Sequence, residues 1–186
     1  GEETVITVNP TENFDSEQRV YVAIGATVKD EAGNLVEASE ATFTIADVLL
    51  PTVRFDPISG ATGVAPNAVI TLTLSEPVRK GDDTAITDLN VDGLIILKRD
   101  NASGTVIASD ASINGAKTVI TIDPSANFET EQVVYVALDA TVEDEAGNAV
   151  SGTLNATFTT TDVEAPTVTV KLDNDDIKFP TSVSPI

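Results

Sequence analysis

Short runs of alternating apolar and polar residues recur along the chain and are separated by turn residues. Alternation with a period of two is typical of β-strands that have one buried face. We therefore predict strands at 52–55, 68–75, 94–98, 105–108, 118–123, 133–142 and 156–160. Almost no segment follows the helical period, so the pattern predicts an all-β protein built as an antiparallel sandwich.

The apolar faces of these strands predict a hydrophobic core. The residues expected in it are Ile70, Leu72, Ile120, Ile122, Val134, Val136, Leu138 and Phe158. Ala140 and Val142 continue the inward face of the long strand 133–142. Leu89 and Val91 are expected to pack against the core from the turn that precedes the predicted strand 94–98.

The chain contains an internal repeat. Residues 1–37 align with residues 115–151 without a gap, and 23 of the 37 positions are identical. After one inserted residue, 41–55 aligns with 156–170. The period is therefore about 114–115 residues, which is the size of one β-sandwich domain.

The repeat predicts how the chain is divided into domains. Residues 51–165 form one complete unit, residues 1–50 are the C-terminal part of an earlier unit, and residues 166–186 begin a following domain or a tail. We therefore expect the chain to be a window on a longer tandem array, in which neighbouring repeats are each other's partners.

A five-residue turn segment, Asp-Glu-Ala-Gly-Asn, occurs at 30–34 and again at 144–148. It lies between two predicted strands in each copy. Gly33 and Gly147 can adopt positive φ, as a short hairpin with a bulge requires. The sequence therefore predicts the same hairpin in both copies.

Five short motifs follow one another along the complete unit. They are Pro-Thr-Val at 51–53, Gly-x-x-Gly-Val at 60–64, Ser-Glu-Pro-Val at 75–78, Asp-x-Ala-Gly-Asn at 144–148 and Thr-Phe-Thr-Thr at 157–160. As a set they resemble the bacterial Ig-like repeats of surface-layer proteins and large surface adhesins. The resemblance implies tandem Ig-like antiparallel β-sandwiches, located outside the cell or at the bacterial cell surface. It implies less about function, because such modules serve as spacers, adhesive repeats and accessory domains.

The composition excludes several classes of functional site. The chain has 10 Lys+Arg against 30 Asp+Glu, a formal net charge of −20, and no His or Cys. Disulfides, thiol nucleophiles, Ser-His-Asp triads and ordinary zinc, copper or haem sites are therefore excluded. The acidic charge is unsuited to nucleic acid, and no apolar run approaches the roughly 18–20 residues of a membrane helix. We expect no catalysis, no nucleic-acid partner and no membrane insertion.

Acidic residues are concentrated at the predicted domain junctions, and their hard oxygen atoms suit calcium. The candidate ligands are Asp47 before the complete unit and Asp162, Glu164, Asp173, Asp175 and Asp176 after it. The hairpin acids Asp30, Glu31, Asp144 and Glu145 would approach the same ends of the sandwiches. Two interpretations stay open: a calcium site that stiffens the junction, and an ordinary solvated acidic surface.

A second calcium candidate reads Asp-x-Asn-x-Asp-Gly, with Asp88, Asn90 and Asp92 as the ligands. This pattern opens the calcium loop of helix-loop-helix proteins. Such a loop ends on a bidentate Glu at its twelfth position, where this chain has Arg99. The alternative is a turn rich in Asp and Asn that leads into a strand.

Three functions fit these observations. The first is a non-catalytic spacer or stalk repeat of a large cell-surface or secreted protein, which the repeat, the charge and the resemblance favour. The second is an adhesive module that binds surface glycans, or a self-assembling one that forms head-to-tail filaments when residues 166–186 donate a strand to residues 1–50. The third is an accessory domain of a secreted enzyme.

Overall fold

A computed structural model describes residues 5–169. Eleven strands and one short 3₁₀ turn, Val91–Leu94, lie in this part of the chain. The strands are β1 (Arg19–Ile24), β2 (Ser39–Thr44), β3 (Val53–Asp56), β4 (Ile70–Leu74), β5 (Val78–Lys80), β6 (Ile95–Arg99), β7 (Ser109–Ile113), β8 (Val119–Pro124), β9 (Val133–Leu138), β10 (Val142–Asp144) and β11 (Asn155–Thr159). No helix among the described residues is long and apolar enough to cross a membrane.

The strands from β3 onward form a sandwich of antiparallel sheets. One sheet has four strands in the order β3-β4-β8-β7, the other has three in the order β11-β9-β6, and β10 pairs with β5 as a short ribbon. Side chains from both sheets meet in one core, because each strand turns alternate residues inward. The predicted all-β Ig-like sandwich is confirmed.

All eight predicted core residues are buried. The alternation succeeded at these positions because each strand has one face on the core and one toward solvent. Val91 is also buried as predicted, whereas Leu89 is 97% exposed and its predicted packing is wrong. Leu89 lies in the turn just before the 3₁₀ segment, where the period of two does not apply.

The predicted strand 133–142 is in fact two strands in different sheets. β9 ends at Leu138, and β10 begins at Val142 and pairs with β5. The Asp139 side chain accepts a hydrogen bond from the backbone N–H of Thr141 at 2.8 Å, and this local turn breaks the ladder. Val142 is buried as predicted, but Ala140 lies in the turn and is exposed.

The predicted strand 105–108 contributes only an isolated bridge between Lys98 and Val106. One edge of the four-stranded sheet is instead formed by β7, whose sequence Ser-Asp-Ala-Ser-Ile lacks a strong alternating apolar pattern. Ala111 and Ile113 are nevertheless its inward residues and are buried.

The first copy of the repeat has the same pairing as the second. β1 pairs with β2 so that Val20 lies opposite Phe43, and β9 pairs with β11 so that Val134 lies opposite Phe158. Gly33 and Gly147 both have φ of 88°, as the predicted hairpins require. The structure contains one complete sandwich, so a tandem array of complete units and its predicted boundaries remain predictions.

Candidate cation site

The hairpin after β10 is organised by one carboxylate. Asp144 Oδ1 accepts hydrogen bonds from the backbone N–H groups of Ala146 and Asn148, each at 2.8 Å. Its Oδ2 accepts a third from Asn148 Nδ2, also at 2.8 Å. Asp144 is only 2% exposed, so these bonds replace the water that the carboxylate loses on folding.

The pKa of Asp144 is the net result of two opposing effects. Burial raises it, and the hydrogen bonds from Asn148, Ala146 and Gly147 lower it. The hydrogen bonds prevail, so the pKa of Asp144 lies below its usual value. A buried negative charge is therefore present at neutral pH.

Two further acids join Asp144 at this end of the sandwich. Asp47 comes from the segment that leads into β3, and Glu76 follows β4 next to Pro77. One carboxylate oxygen from each of the three lies within 4.8 Å of the others. Asn148 also donates its side-chain amide to the Asp47 carbonyl at 3.3 Å, which joins the incoming segment to the hairpin.

Asp47 and Glu76 line an open cleft of about 480 Å³ together with Glu17 and Glu145, and Asp144 lies buried beside them. Burial raises the pKa of Glu76, and the charges of Asp144, Asp47 and Glu17 raise it further. Because like charges are held together here, the cleft is a region of negative potential. Several hard oxygen atoms at this spacing suit a calcium ion.

The structure does not bring all the predicted junction ligands together at this cleft. Asp47 lines the cleft together with the hairpin acid Glu145 and lies next to Asp144, whereas Asp162 follows β11 and accepts a hydrogen bond from Thr130 in the loop between β8 and β9. Glu164 follows Asp162 there, and its backbone N–H donates to the Asp162 carboxylate at 2.9 Å. The remaining candidates, Asp173, Asp175 and Asp176, lie outside the described residues.

Sequence reasoning missed Glu76 as a candidate ligand. It occurs in the Ser-Glu-Pro-Val motif at 75–78, one of the five motifs that carry the family resemblance, and nothing in that motif marks Glu76 as a ligand. The internal repeat does not cover this position, so comparison of the two copies gave no signal. The chain turns at Ser75 after β4 ends, and this turn brings Glu76 to the same end as the hairpin.

The same hydrogen-bonded corner occurs where each copy of the repeat ends. In the first copy the Ser16 hydroxyl donates to Asp47 Oδ1 at 2.8 Å and accepts from the Val48 N–H at 3.0 Å. In the second, the Thr130 hydroxyl donates to Asp162 Oδ1 at 2.9 Å and accepts from the Val163 N–H at 3.1 Å. We call these the first and second exit corners.

The exit corner also affects the charge of its carboxylate. The pKa of Asp162 is lowered by hydrogen bonds from the Glu164 N–H and the Thr130 hydroxyl. Asp162 is therefore ionised at neutral pH, and its Oδ1 already accepts hydrogen bonds from the Thr130 hydroxyl and the Glu164 N–H. Its carboxylate thus joins the segment after β11 to Thr130 in the loop between β8 and β9.

The Asp-x-Asn-x-Asp-Gly segment lies away from this cleft, against β7. Asp88 Oδ1 accepts from the Ile113 N–H at 2.9 Å, and Asp92 Oδ1 accepts from the Ala111 N–H at 2.7 Å. Asn90 holds the turn itself, since its Oδ1 accepts from the Thr87 N–H at 2.8 Å. The geometry matches the alternative of a structural turn, while calcium binding by these residues remains a prediction.

A family model described as bacterial Ig-like domain matches residues 48–160. The chain belongs to this family. The resemblance inferred from the five motifs is thereby confirmed. The matched residues include the sandwich from β3 to β11, Glu76 and the hairpin at 144–148, whereas Asp47 and Asp162 lie just outside the match. No match to a curated protein sequence is significant.

The solved structures that the chain matches include surface-layer proteins. Domains 1–6 of the surface layer protein SbsC are 14% identical, with a TM-score of 0.42 over 61% of this chain and 14% of that one. The S-layer protein rSbsC is 13% identical, with a TM-score of 0.41 over 64% of this chain and 14% of that one. CopC from Methylosinus trichosporium OB3b is 14% identical, with a TM-score of 0.39 over 61% of this chain and 94% of that one. The chain thus corresponds to about one seventh of the two surface-layer chains' length.

Proposed function

We propose that the chain is a non-catalytic spacer of a larger bacterial cell-surface or secreted protein, joining Ig-like units at a fixed angle. The observation that carries this proposal is the exit corner, which recurs in both copies of the repeat with the same two hydrogen bonds to and from the hydroxyl. A third bond also recurs, from the N–H of Leu49 to Asp47 and from the N–H of Glu164 to Asp162. In each corner a hydroxyl from one loop holds both the aspartate and the backbone of the outgoing segment, for example Ser16 with Asp47 and Val48. A segment held in this way leaves the sheet in one direction.

The charge of the chain supports the same role. A net charge of −20 keeps extended arrays soluble and apart from one another. A chain without His and Cys also lacks the side chains that most often act as general bases and thiol nucleophiles.

Distance measurements between spin labels test the spacer function. The chain has no Cys, so Glu37→Cys and Ser103→Cys provide unique label positions on the two sides of the first exit corner. We expect a narrow distance distribution in the parent chain and a broad one after Ser16→Ala. Thr130→Val is the matched control, because the second exit corner lies outside the labelled span. A broad distribution in the parent chain would contradict the spacer function.

A calcium ion at the acidic cleft is a second proposal, supported by the approach of Asp47, Glu76 and Asp144 to within 4.8 Å. An ion bound there would neutralise the repulsion and tie the incoming segment to the hairpin. Calcium should then raise the melting temperature in proportion to the logarithm of its concentration once the site saturates. Chelation should reverse the effect, and an identical melting curve with calcium and with chelator would exclude the ion.

A further inference from the structure

Apolar side chains of the first copy are exposed at the positions where the second copy has its core. Ile6 is 66% exposed and its counterpart Ile120 is fully buried. Val8 is 69% exposed, against 0% for Ile122. Phe43 is 46% exposed, against 1% for Phe158. The residue types are core residues in both copies, so the difference lies in what covers them.

This uncovered face is already arranged as in the complete unit. β1 and β2 have the register of β9 and β11. Phe14 contacts Phe43 edge to face with ring centroids 6.1 Å apart, and Phe128 contacts Phe158 in the same way at 5.7 Å. A partner would therefore meet a preformed surface, which reduces the entropy lost on binding. We call the surface formed by Ile6, Val8, Val22 and Phe43 the open face.

The complete unit shows which elements cover the corresponding surface. β9 has β6 on its other edge, with Leu97 opposite Val136. β8 is held between β4 and β7, with Ile70 and Ala111 both opposite Ile122. In the first copy, β1 pairs with β2 alone among the described residues, and residues 5–10, which correspond to β8, form no strand. The missing elements are thus counterparts of β4, β6 and β7.

Within the described part of the chain, the C-terminal segment 166–169 of a second copy does not supply these elements. Residues 166–169 correspond to 51–54, which lead into β3. In the four-stranded sheet β3 pairs with β4 only, and it has no ladder to β8 or β9. A donated segment of this type would leave the edges of β1 and of residues 5–10 unpaired. Head-to-tail strand donation by residues 166–186 stays a prediction, because residues 170–186 lie outside the described part of the chain.

We propose that the open face is the docking surface for a polypeptide segment built like residues 51–114 and joined directly before Gly1. Gly1 aligns with Gly115, so residue 114 is the position at which such a segment joins in register. Its β6-like strand would pair with Arg19–Ile24, and its β4-like and β7-like strands would flank residues 5–10. The first copy then becomes a second complete sandwich.

A fusion of this protein with part of itself tests the proposal. An additional copy of residues 51–114 is placed directly before Gly1 of the full chain. We expect amide hydrogen exchange at Arg19–Ile24 and at residues 5–10 to slow at least tenfold relative to the unfused chain. Binding of a hydrophobic dye should fall, because the open face becomes buried.

Matched substitutions distinguish docking from a general effect of added length. Val22→Asp should leave the melting of the unfused chain unchanged, whereas the corresponding Val136→Asp should unfold the complete unit. In the fused chain Val22→Asp should abolish the new protection. A fusion whose added copy carries Leu72→Asp is the second control and should give no protection at Arg19–Ile24.

Two outcomes would overturn the proposal. In the first, the fused chain keeps fast exchange at Arg19–Ile24 while residues 51–160 remain folded. In the second, the unfused chain associates with increasing concentration and protects Arg19–Ile24 without any fusion, which would make a second copy the occupant. Neither outcome changes the spin-label distances across the first exit corner when they are measured on monomeric protein at low concentration. The docking proposal can therefore fail while the spacer function stands, and the two failures are distinguishable.

Discussion

Asp92 accepts a hydrogen bond at 2.7 Å from the backbone N–H of Ala111, a residue of the edge strand β7. Asp88 does the same for Ile113 two residues further along β7. Edge strands present unpaired N–H groups to which other chains can add. The two aspartates occupy these groups with negatively charged acceptors, so the acidic turn protects the edge of the sheet.

Asp88→Ala and Asp92→Ala should each destabilise the protein by about 1–2 kcal/mol, because each removes the acceptor of a backbone N–H at a partly buried site. The double variant should also aggregate faster than the parent chain, since β7 becomes an open edge. Chemical denaturation and light scattering measure the two effects.

The calcium interpretation of the same residues makes a different prediction. If Asp88, Asn90 and Asp92 bound the ion, the loss of stability would be seen in calcium and would vanish in chelator. We expect equal losses in both solutions. Asp110→Ala is a suitable control, because Asp110 is an exposed residue of the same strand and no side-chain hydrogen bond within residues 5–169 involves it.

The core was predictable because a period of two reports directly which side of a strand is buried, as at Ile120 and Ile122. The break at Asp139, where the chain leaves one sheet and enters another, could not be predicted. The apolar alternation continues on both sides of this turn, so the sequence pattern resembles that of one long strand. β7 was missed because its inward residues include the small Ala111. At the cation site, Asp47 and the hairpin acids were predictable from the repeat, whereas Glu76 reaches the cleft only through the tertiary arrangement.

Identical substitutions at Ile120 and Ile6 should have different effects. Ile120→Ala removes a fully buried side chain and should cost about 2–5 kcal/mol. Ile6→Ala changes a mostly exposed side chain at the corresponding repeat position and should alter stability by less than about 0.5 kcal/mol. Denaturant titration of the two variants measures this difference. Similar losses at both positions would show that residues 5–10 are packed in solution.

Asp144→Ala should be much more damaging than Asp30→Ala, although both residues organise the same type of hairpin. Asp144 is buried and holds two backbone N–H groups and the Asn148 amide, so its loss should cost about 2–4 kcal/mol. Asp30 makes the corresponding bonds to Asn34 in solvent, and we expect only a small change there. Thermal melts of both variants provide the comparison.

The contribution of Asp144 should depend on pH with a definite sign. Its folded pKa is lowered, so its stabilising effect is fully present above the unfolded carboxyl pKa of about 4. The effect is lost as the pH falls through the lower, folded value. The difference in unfolding free energy between the parent chain and Asp144→Ala should therefore be constant from neutral pH to about pH 5 and shrink below about pH 4. A difference that grows on acidification would show that the folded pKa of Asp144 lies above its unfolded value.

Glu76→Gln should stabilise the protein when no divalent cation is present. The pKa of Glu76 is raised by burial and by the neighbouring charges, which means that ionisation of this residue opposes folding. This unfavourable contribution is complete above the folded pKa and disappears as the pH falls below the unfolded value of about 4.3. The stabilisation by Glu76→Gln should thus be present at pH 7 and absent at pH 3.

Added calcium should stabilise the parent chain more than the Glu76→Gln variant, because the variant has lost one of the three converging carboxylates. Melting temperatures at both pH values, each with calcium and with chelator, give the comparison, and Glu131→Gln is the control at an exposed acid outside the cleft. If Glu76→Gln lowers stability at pH 7 in chelator, the three carboxylates do not repel one another as their spacing requires.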